Sequence, residues 1–168
     1  MEPAPPTAAI SQVGWHESLP GKRMGAGAIF RDRAGSVVLL ETTYKSIFEV
    51  PGGVVEANES PRQACRRELL EELGIDVEPG RLLCVEWQGP GPEPHRTESV
   101  MFLYDGGILV DTSALVLDSS EVRAVHLVRP VDLDEVTSPR IARRVRSALA
   151  ALESGSFVEL ENGETAGC

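Results

Sequence analysis

The sequence predicts an α+β fold, with a mixed β-sheet packed between helices in an α/β/α sandwich. Three observations point there. The 168 residues, 42% of them apolar, supply one core and leave little for a second domain. Short apolar runs bounded by Gly, Pro and polar residues recur along the chain as strands. Two segments with helix-start signals, at Ser60-Pro61 and Ser138-Pro139, interleave with them.

Residues 1 to about 20, rich in Pro, Ala and Ser, read as a loose arm preceding a single domain over 21–160. Met24 to Arg31 reads as a strand whose glycines leave room for close backbone approach. Arg33-Ala34-Gly35 is a turn, and Ser36 to Thr42, with Val37-Val38-Leu39-Leu40, completes a hairpin. Pro51-Gly52-Gly53 opens a loop running to Ser60. There Ser60 serves as N-cap, Pro61 takes the first helical position and Gln63 completes a capping box. This helix runs to Leu73, with Gly74 in the C-cap position.

Leu82 to Trp87 and Ser99 to Asp105 read as strands flanking a long proline-bearing loop with a substrate-facing role. Val122 to Val128 is a further strand. Ile141, Val145, Ala148, Leu149 and Leu152 then recur at helical spacing. Phe157 to Leu160 forms a short strand, and residues 161–168 a flexible tail.

With 26 acidic and 16 basic residues the net charge is -10, which opposes binding to nucleic acid or an anionic membrane. Phosphate bound by such a chain needs a local attraction, and a metal ion is the natural one. No run of about 18 apolar residues exists to span a bilayer, and the proline-rich start lacks the marks of a secretory signal. Cys65, Cys84 and Cys168 are too scattered for a disulfide framework or a cysteine zinc site. A reducing, cytoplasmic setting suits them.

On the helix from Pro61 to Leu73, Cys65, Leu69, Leu70 and Leu73 gather on one side. Glu68, Glu71 and Glu72 fall within an arc of roughly 100° beside them. Such carboxylates repel one another by a few tenths of a kcal/mol per pair. A hard divalent cation reverses that penalty, because it takes several oxygen ligands. A merely solvated acidic face is the competing explanation, and the surrounding residues weigh against it. From Gly53 the chain reads GVVEANESPRQACRRELLEELGI. It fits G-x5-E-x7-R-E-U-x-E-E-x-G-U, U being aliphatic, at Gly53, Glu59, Arg67, Glu68, Leu69, Glu71, Glu72, Gly74 and Ile75. Seven fixed residues coincide by chance on the order of once in 10⁸ starting points.

This segment resembles the signature of the Nudix hydrolases, and Phe48-Glu49-Val50-Pro51-Gly52 before it is similar to the family's approach to that motif. The resemblance implies a Nudix-like mixed sheet. It also implies a loop–helix–loop that holds Mg²⁺, or Mn²⁺, against a pyrophosphate. Glu68 and Glu72 are then the first candidate ligands, with Glu71 next and the Gly53 carbonyl within reach. Arg67 orients a carboxylate, Glu59 by resemblance. The general base varies among members, which leaves Glu68, Glu71, Glu72 and Glu121 as candidates. Glu121 opens a segment similar to one in which members bring a further Glu to the metal; a surface carboxylate is the alternative.

Glu98 and Glu93 are weaker rivals. Tyr44 and Phe48, just before the signature, are candidates to line a nucleotide pocket, and Glu98 to touch substrate. Core packing suits His126 and Cys65, a strand end Trp87, the surface His95, and a solvated face Arg140, Arg143, Arg144 and Arg146. The implied activity is hydrolysis of a nucleoside diphosphate linked to another group. ADP-ribose or a nucleotide sugar is preferred, with nucleoside triphosphates next. A non-catalytic nucleotide sensor on the same fold is the alternative, although such members usually carry a degraded signature. The expected partner is a small nucleotide. Many relatives are homodimers, and no residue here identifies such an interface.

Overall fold

In the computed structural model, which describes residues 15, 18–91 and 97–167, the strand-forming runs assemble into one eight-stranded mixed sheet. Its strands are β1 (Arg23–Arg31), β2 (Val37–Thr42), β3 (Gly52–Val54), β4 (Leu82–Gln88), β5 (Ser99–Ile108), β6 (Val122–Val128), β7 (Val158–Glu161) and β8 (Glu164–Thr165). The order across the sheet is β6-β2-β1-β5-β4-β7-β8, and β3 pairs with β1 alone. The helices are α1 (Pro61–Leu73), the single turn α2 (Leu133–Val136) and α3 (Pro139–Ser154). Strand alternation gives the sheet two apolar faces. Ala26, Ala28 and Phe30 of β1, with Val38 and Leu40 of β2, meet Cys65, Leu69 and Leu73 of α1. Ile29, Val37 and Leu39 point the other way and pack on Ile141, Val145 and Ala148 of α3. The fold is α+β, as the sequence predicts.

α1 has the expected bounds because its ends are closed. The Ser60 side chain accepts from the Gln63 amide at 3.3 Å, and Gln63 Oε1 accepts from the Ser60 amide at 2.8 Å. At the other end the Gly74 amide donates to the Leu70 carbonyl at 3.0 Å. α3 likewise begins at Ser138, whose hydroxyl accepts from the Ile141 amide.

The sheet departs from expectation where it builds the site. β1 and β2 are antiparallel neighbours but register only at Arg31↔Val37, and then separate. The segment from Glu49 to Val54 enters the gap. Glu49 exchanges two backbone hydrogen bonds with Leu40, the Pro51 carbonyl accepts from Ala28, and Gly52 to Val54 pair with Gly27 to Gly25. Residues expected to be loop are therefore strand, fixed to the centre of the sheet. Gly52 takes φ 137, and a Cβ there would stand 2.2 Å from the Ala26 carbonyl oxygen, so only glycine fits.

β5 runs three residues past Asp105. The chain beyond Glu161, expected to be a tail, turns back through Asn162 (φ 52) and Gly163 (φ 86) so that β8 pairs with β7. An Asn-Gly pair is a strong two-residue hairpin signal. The expected arm lies almost wholly outside the described residues, as do Glu93 and His95. Among the described residues no helix is long and apolar enough to cross a membrane.

Candidate active site

α1 presents its carboxylates to the backbone of β3. Glu72 Oε2 accepts from the Gly52 amide at 2.7 Å, and the side chain is buried. One turn earlier, the Glu68 carboxylate lies against Gly53 so closely that a Cβ at residue 53 would stand 2.5 Å from it. The two glycines thus do different work. Gly52 makes the turn, and Gly53 vacates the volume that Glu68 fills.

Arg67 fixes the outer side of this arrangement. Its guanidinium donates to Glu59 Oε1 at 2.8 Å, to Glu68 Oε1 and Glu71 Oε2 at 2.9 Å each, and to the Val54 carbonyl at 2.9 Å. Glu59 accepts a second bond, on Oε2 from Arg67 Nε at 3.3 Å, and is the first cause of a rise in the Arg67 pKa above its ordinary value. The same bonds hold the Glu59 carboxyl below the usual carboxylate range. Glu71 is half exposed and turned toward Arg67, whereas Glu68 and Glu72 are sheltered.

Two further carboxylates act on this pair. Burial pushes the Glu72 carboxyl up to about 8, against the Gly52 amide that lowers it, and Glu68, Glu121 and Glu49 add to the rise. Glu68 is also raised, first by burial, with Arg67 opposing and Glu71 and Glu121 reinforcing. The Thr43 amide donates to the Glu121 carbonyl at 2.9 Å, tying the start of β6 to the end of β2, and the Glu121 charge is among the causes that raise Glu68 and Glu72. Glu49 was not singled out in the sequence. Its signal was its place three residues before Gly52, at the entrance of the gap between β1 and β2.

Repelling carboxylates, a buried one among them, form a hard oxygen donor set that a divalent cation would relieve. Among the described residues no group of three or more His, Cys, Asp or Glu side chains is arranged to hold an ion. A cation such as Mg²⁺ keeps water and substrate oxygens around one or two protein carboxylates, a number that Glu68 and Glu72 supply. The residues present fit such an ion.

The family model described as NUDIX domain matches residues 21–152. The chain belongs to the NUDIX family. Over 56 residues it is 43% identical to the 8-oxo-dGTP diphosphatase of Proteus vulgaris, a match covering 31% of this chain and 50% of that protein. Over 59 residues it is 37% identical to the putative ADP-ribose pyrophosphatase YjhB of Bacillus subtilis (strain 168), covering 35% and 27%. The chain spans half or less of the length of these curated relatives. The MutT protein from Methanosarcina mazei Go1 shares its fold, with TM-score 0.64 at 23% identity over 82% of this chain and 99% of that one.

Other candidate residues of this NUDIX protein lie at varied distances from the carboxylates. Tyr44 is exposed beside them. Its hydroxyl pKa is raised, first by partial desolvation and then by the charges of Glu49, Glu72, Glu121 and Glu68. Phe48 stacks on the His126 ring, with centroids 4.3 Å apart; its amide donates to the Val136 carbonyl and its carbonyl accepts from the Thr137 hydroxyl. Glu98 is not brought to the cluster; it pairs with Lys22 near the start of β5. His126 is not a core residue, being half exposed and bonded to Glu41 at 3.0 Å on edge strand β6. Cys65 is core as expected, and burial pushes its thiol up to about 12. Trp87 is half-buried at the end of β4.

The solvated-face expectation fails for Arg144. It lies three residues after Ile141 and four before Ala148, on the buried side of α3, and binds the fully buried Glu86 of β4. An arginine among apolar helix positions is legible as buried only once its partner on another strand is known.

Proposed function

We propose that this NUDIX protein is a divalent-metal-dependent hydrolase of the pyrophosphate linkage in a nucleoside diphosphate joined to another group. ADP-ribose or a nucleotide sugar is the preferred substrate, ahead of nucleoside triphosphates. The observation that carries it is the placement of Glu68 and Glu72, one turn apart, against the backbone of Gly53 and Gly52. Relatives named 8-oxo-dGTP diphosphatase and ADP-ribose pyrophosphatase support the phosphoanhydride class. The net charge of -10 favours a small nucleotide over a nucleic-acid polymer.

Glu68, Glu72 and the Gly53 carbonyl would hold Mg²⁺ or Mn²⁺, with Glu71 as the next ligand. A bound divalent ion offsets phosphate charge, lowers the pKa of water and stabilises the leaving oxygen. The protein supplies orientation and proton movement. The Gly52 amide fixes which Glu72 oxygen turns inward. Arg67 is a positioning residue, locking Glu68 and Glu71 relative to Glu59 and the Val54 carbonyl. A carboxylate of the set, Glu68, Glu71, Glu72 or Glu121, accepts the proton of the attacking water. The product pair is a nucleoside monophosphate and a phosphorylated fragment.

The test is turnover of ADP-ribose, nucleotide sugars, NADH, dinucleoside polyphosphates, and ordinary and 8-oxo nucleoside triphosphates, with Mg²⁺ and with EDTA. Glu72→Gln run in parallel exposes contaminating activity. Metal-dependent turnover that the variant loses supports the proposal. Tight nucleotide binding with no turnover across the panel overturns it.

A further inference from the structure

The last carbonyls of a helix have no partner within it. At the end of α1 two of them are met by the connection from β5 to β6. The Val116 amide donates to the Leu73 carbonyl at 3.0 Å, and the Asp118 amide to the Glu72 carbonyl at 3.4 Å. The same connection then delivers Glu121, whose charge raises the Glu68 and Glu72 carboxyls. A negative charge that opposes ionisation of two carboxyls also attracts a cation bound to them. The backbone that bears Glu121 is thus joined to the backbone that bears Glu72.

Asp118 makes bonds in both directions from this joint. Its Oδ1 accepts from the Ser120 amide at 2.9 Å and from the Ser120 hydroxyl at 2.6 Å. Its carbonyl accepts from the Glu121 amide at 3.0 Å and from the Val122 amide at 2.8 Å. An Asp that bonds the backbone two residues on closes an Asx turn, and here the turn fixes how the chain enters β6. The Ser120 bonds, the hydroxyl's first, hold the Asp118 carboxyl below the usual carboxylate range. Oδ1 is therefore committed to the turn. From the other side Thr43, which follows β2, meets the same segment. Its amide donates to the Glu121 carbonyl and its hydroxyl to the Ser120 carbonyl, both at 2.9 Å. Glu121 itself is exposed, with its amide and carbonyl both occupied. Its staggered rotamers start from that fixed backbone, which sets where its carboxylate can fall.

We propose that Asp118, with Thr43 opposite it, is a positioning residue that sets the Glu121 carboxylate against Glu68 and Glu72. The proposal deepens the hydrolase reading and rests on it for the reaction that Glu121 serves. Asp118 acts through its acceptor oxygen and its place in the turn, and its charge is not required. A carboxamide keeps that oxygen, so Asp118→Asn separates the turn from the charge.

The test uses the full chain at pH 8. It reads Mn²⁺ affinity, followed by the free-ion resonance, beside kcat and KM on the best substrate of the pyrophosphate panel. Asp118→Ala should lower Mn²⁺ affinity and kcat about tenfold each, with KM within about twofold, as loss of an orienting partner does. Asp118→Asn should restore both to within about twofold of the wild type. Glu121→Gln should lower both at least as far as Asp118→Ala. In the Glu121→Gln background Asp118→Ala should change Mn²⁺ affinity by less than about twofold, because the carboxylate it positions is gone. Thr43→Val, which removes the hydroxyl from the β2 side, should act in the same direction by about threefold and show the same dependence on Glu121. Thr43→Ser should restore the wild-type values. An equal loss in both backgrounds, an asparagine variant as impaired as the alanine one, or unchanged Mn²⁺ affinity in Glu121→Gln overturns the proposal. The two readings fail separately. Dependence on Glu121 in Mn²⁺ affinity without turnover of any pyrophosphate refutes the hydrolase and keeps the positioning role. Turnover joined to losses that are equal in both backgrounds refutes the positioning role and keeps the hydrolase.

Discussion

On the α1 side of Gly52–Gly53, most of the charged groups come from little more than one helical turn, Glu68 to Glu72, and from the loop feeding it, with Glu49 and Glu121 added from elsewhere in the chain. On the α3 side they come from β1, the β2–β3 connection and α3, and only folding brings Arg23, Lys45, Arg140 and Arg144 together. The first side concentrates negative charge and the second positive charge, across the same two glycines. One backbone segment, set in the gap between β1 and β2, serves as the partition.

That division can be broken most forcefully at Glu72. Glu72→Gln should lower kcat on the order of 10²–10³-fold, the scale of losing one preorganised polar group, with KM moving far less. Steady-state kinetics with the preferred substrate checks this, and a KM effect with kcat intact would shift Glu72 from chemistry to binding.

The same residue predicts a pH dependence. Its folded-state pKa of about 8 lies above the ordinary 4.5, so the protonated form is the one the fold favours. Its contribution to stability is present below pH 4.5 and is lost as pH rises toward 8. In EDTA the wild type should therefore lose on the order of 2–4 kcal/mol relative to Glu72→Gln over that window. Urea denaturation at pH 5 and pH 8.5 measures it. Parallel pH profiles for the two proteins would deny that Glu72 carries the strain.

Arg67→Gln sharpens the distinction between ligand and support. It should lower kcat/KM by about 10–100-fold, as loss of an orienting partner does. Stability should also fall, because Arg67 joins Glu59, Glu68, Glu71 and the Val54 carbonyl. Arg67→Lys, which keeps charge and loses the fork, should recover little of either.

The smallest effect is expected at Glu98, on neither flank. Its ion pair with Lys22 is exposed, and such pairs contribute about 0–1 kcal/mol. Glu98→Gln should change kcat/KM by less than about twofold. A larger loss would extend the site toward β5.

The difference between the flanks also sets what was legible in the sequence. Ser60, Pro61, Gln63 and Gly74 determine the ends of α1 locally, so helix and carboxylate arc follow from spacing alone. β3 was not legible, because Gly52–Val54 is a strand only through pairing with Gly25–Gly27. Arg144 was not legible either, since its buried partner Glu86 lies 58 residues away on β4. Glu49 joins the acidic set only because the sheet opens between β1 and β2. The Asn162-Gly163 turn is a local signal for the C-terminal hairpin.

The most direct test of the central claim, that the α1 side holds the divalent ion, is equilibrium Mn²⁺ binding to wild type and Glu72→Gln at pH 8, followed by the free-ion resonance. The wild type should bind about tenfold or more tightly than the variant, in line with loss of one carboxylate from a small ligand set. Equal affinities would contradict the account and place the cation elsewhere.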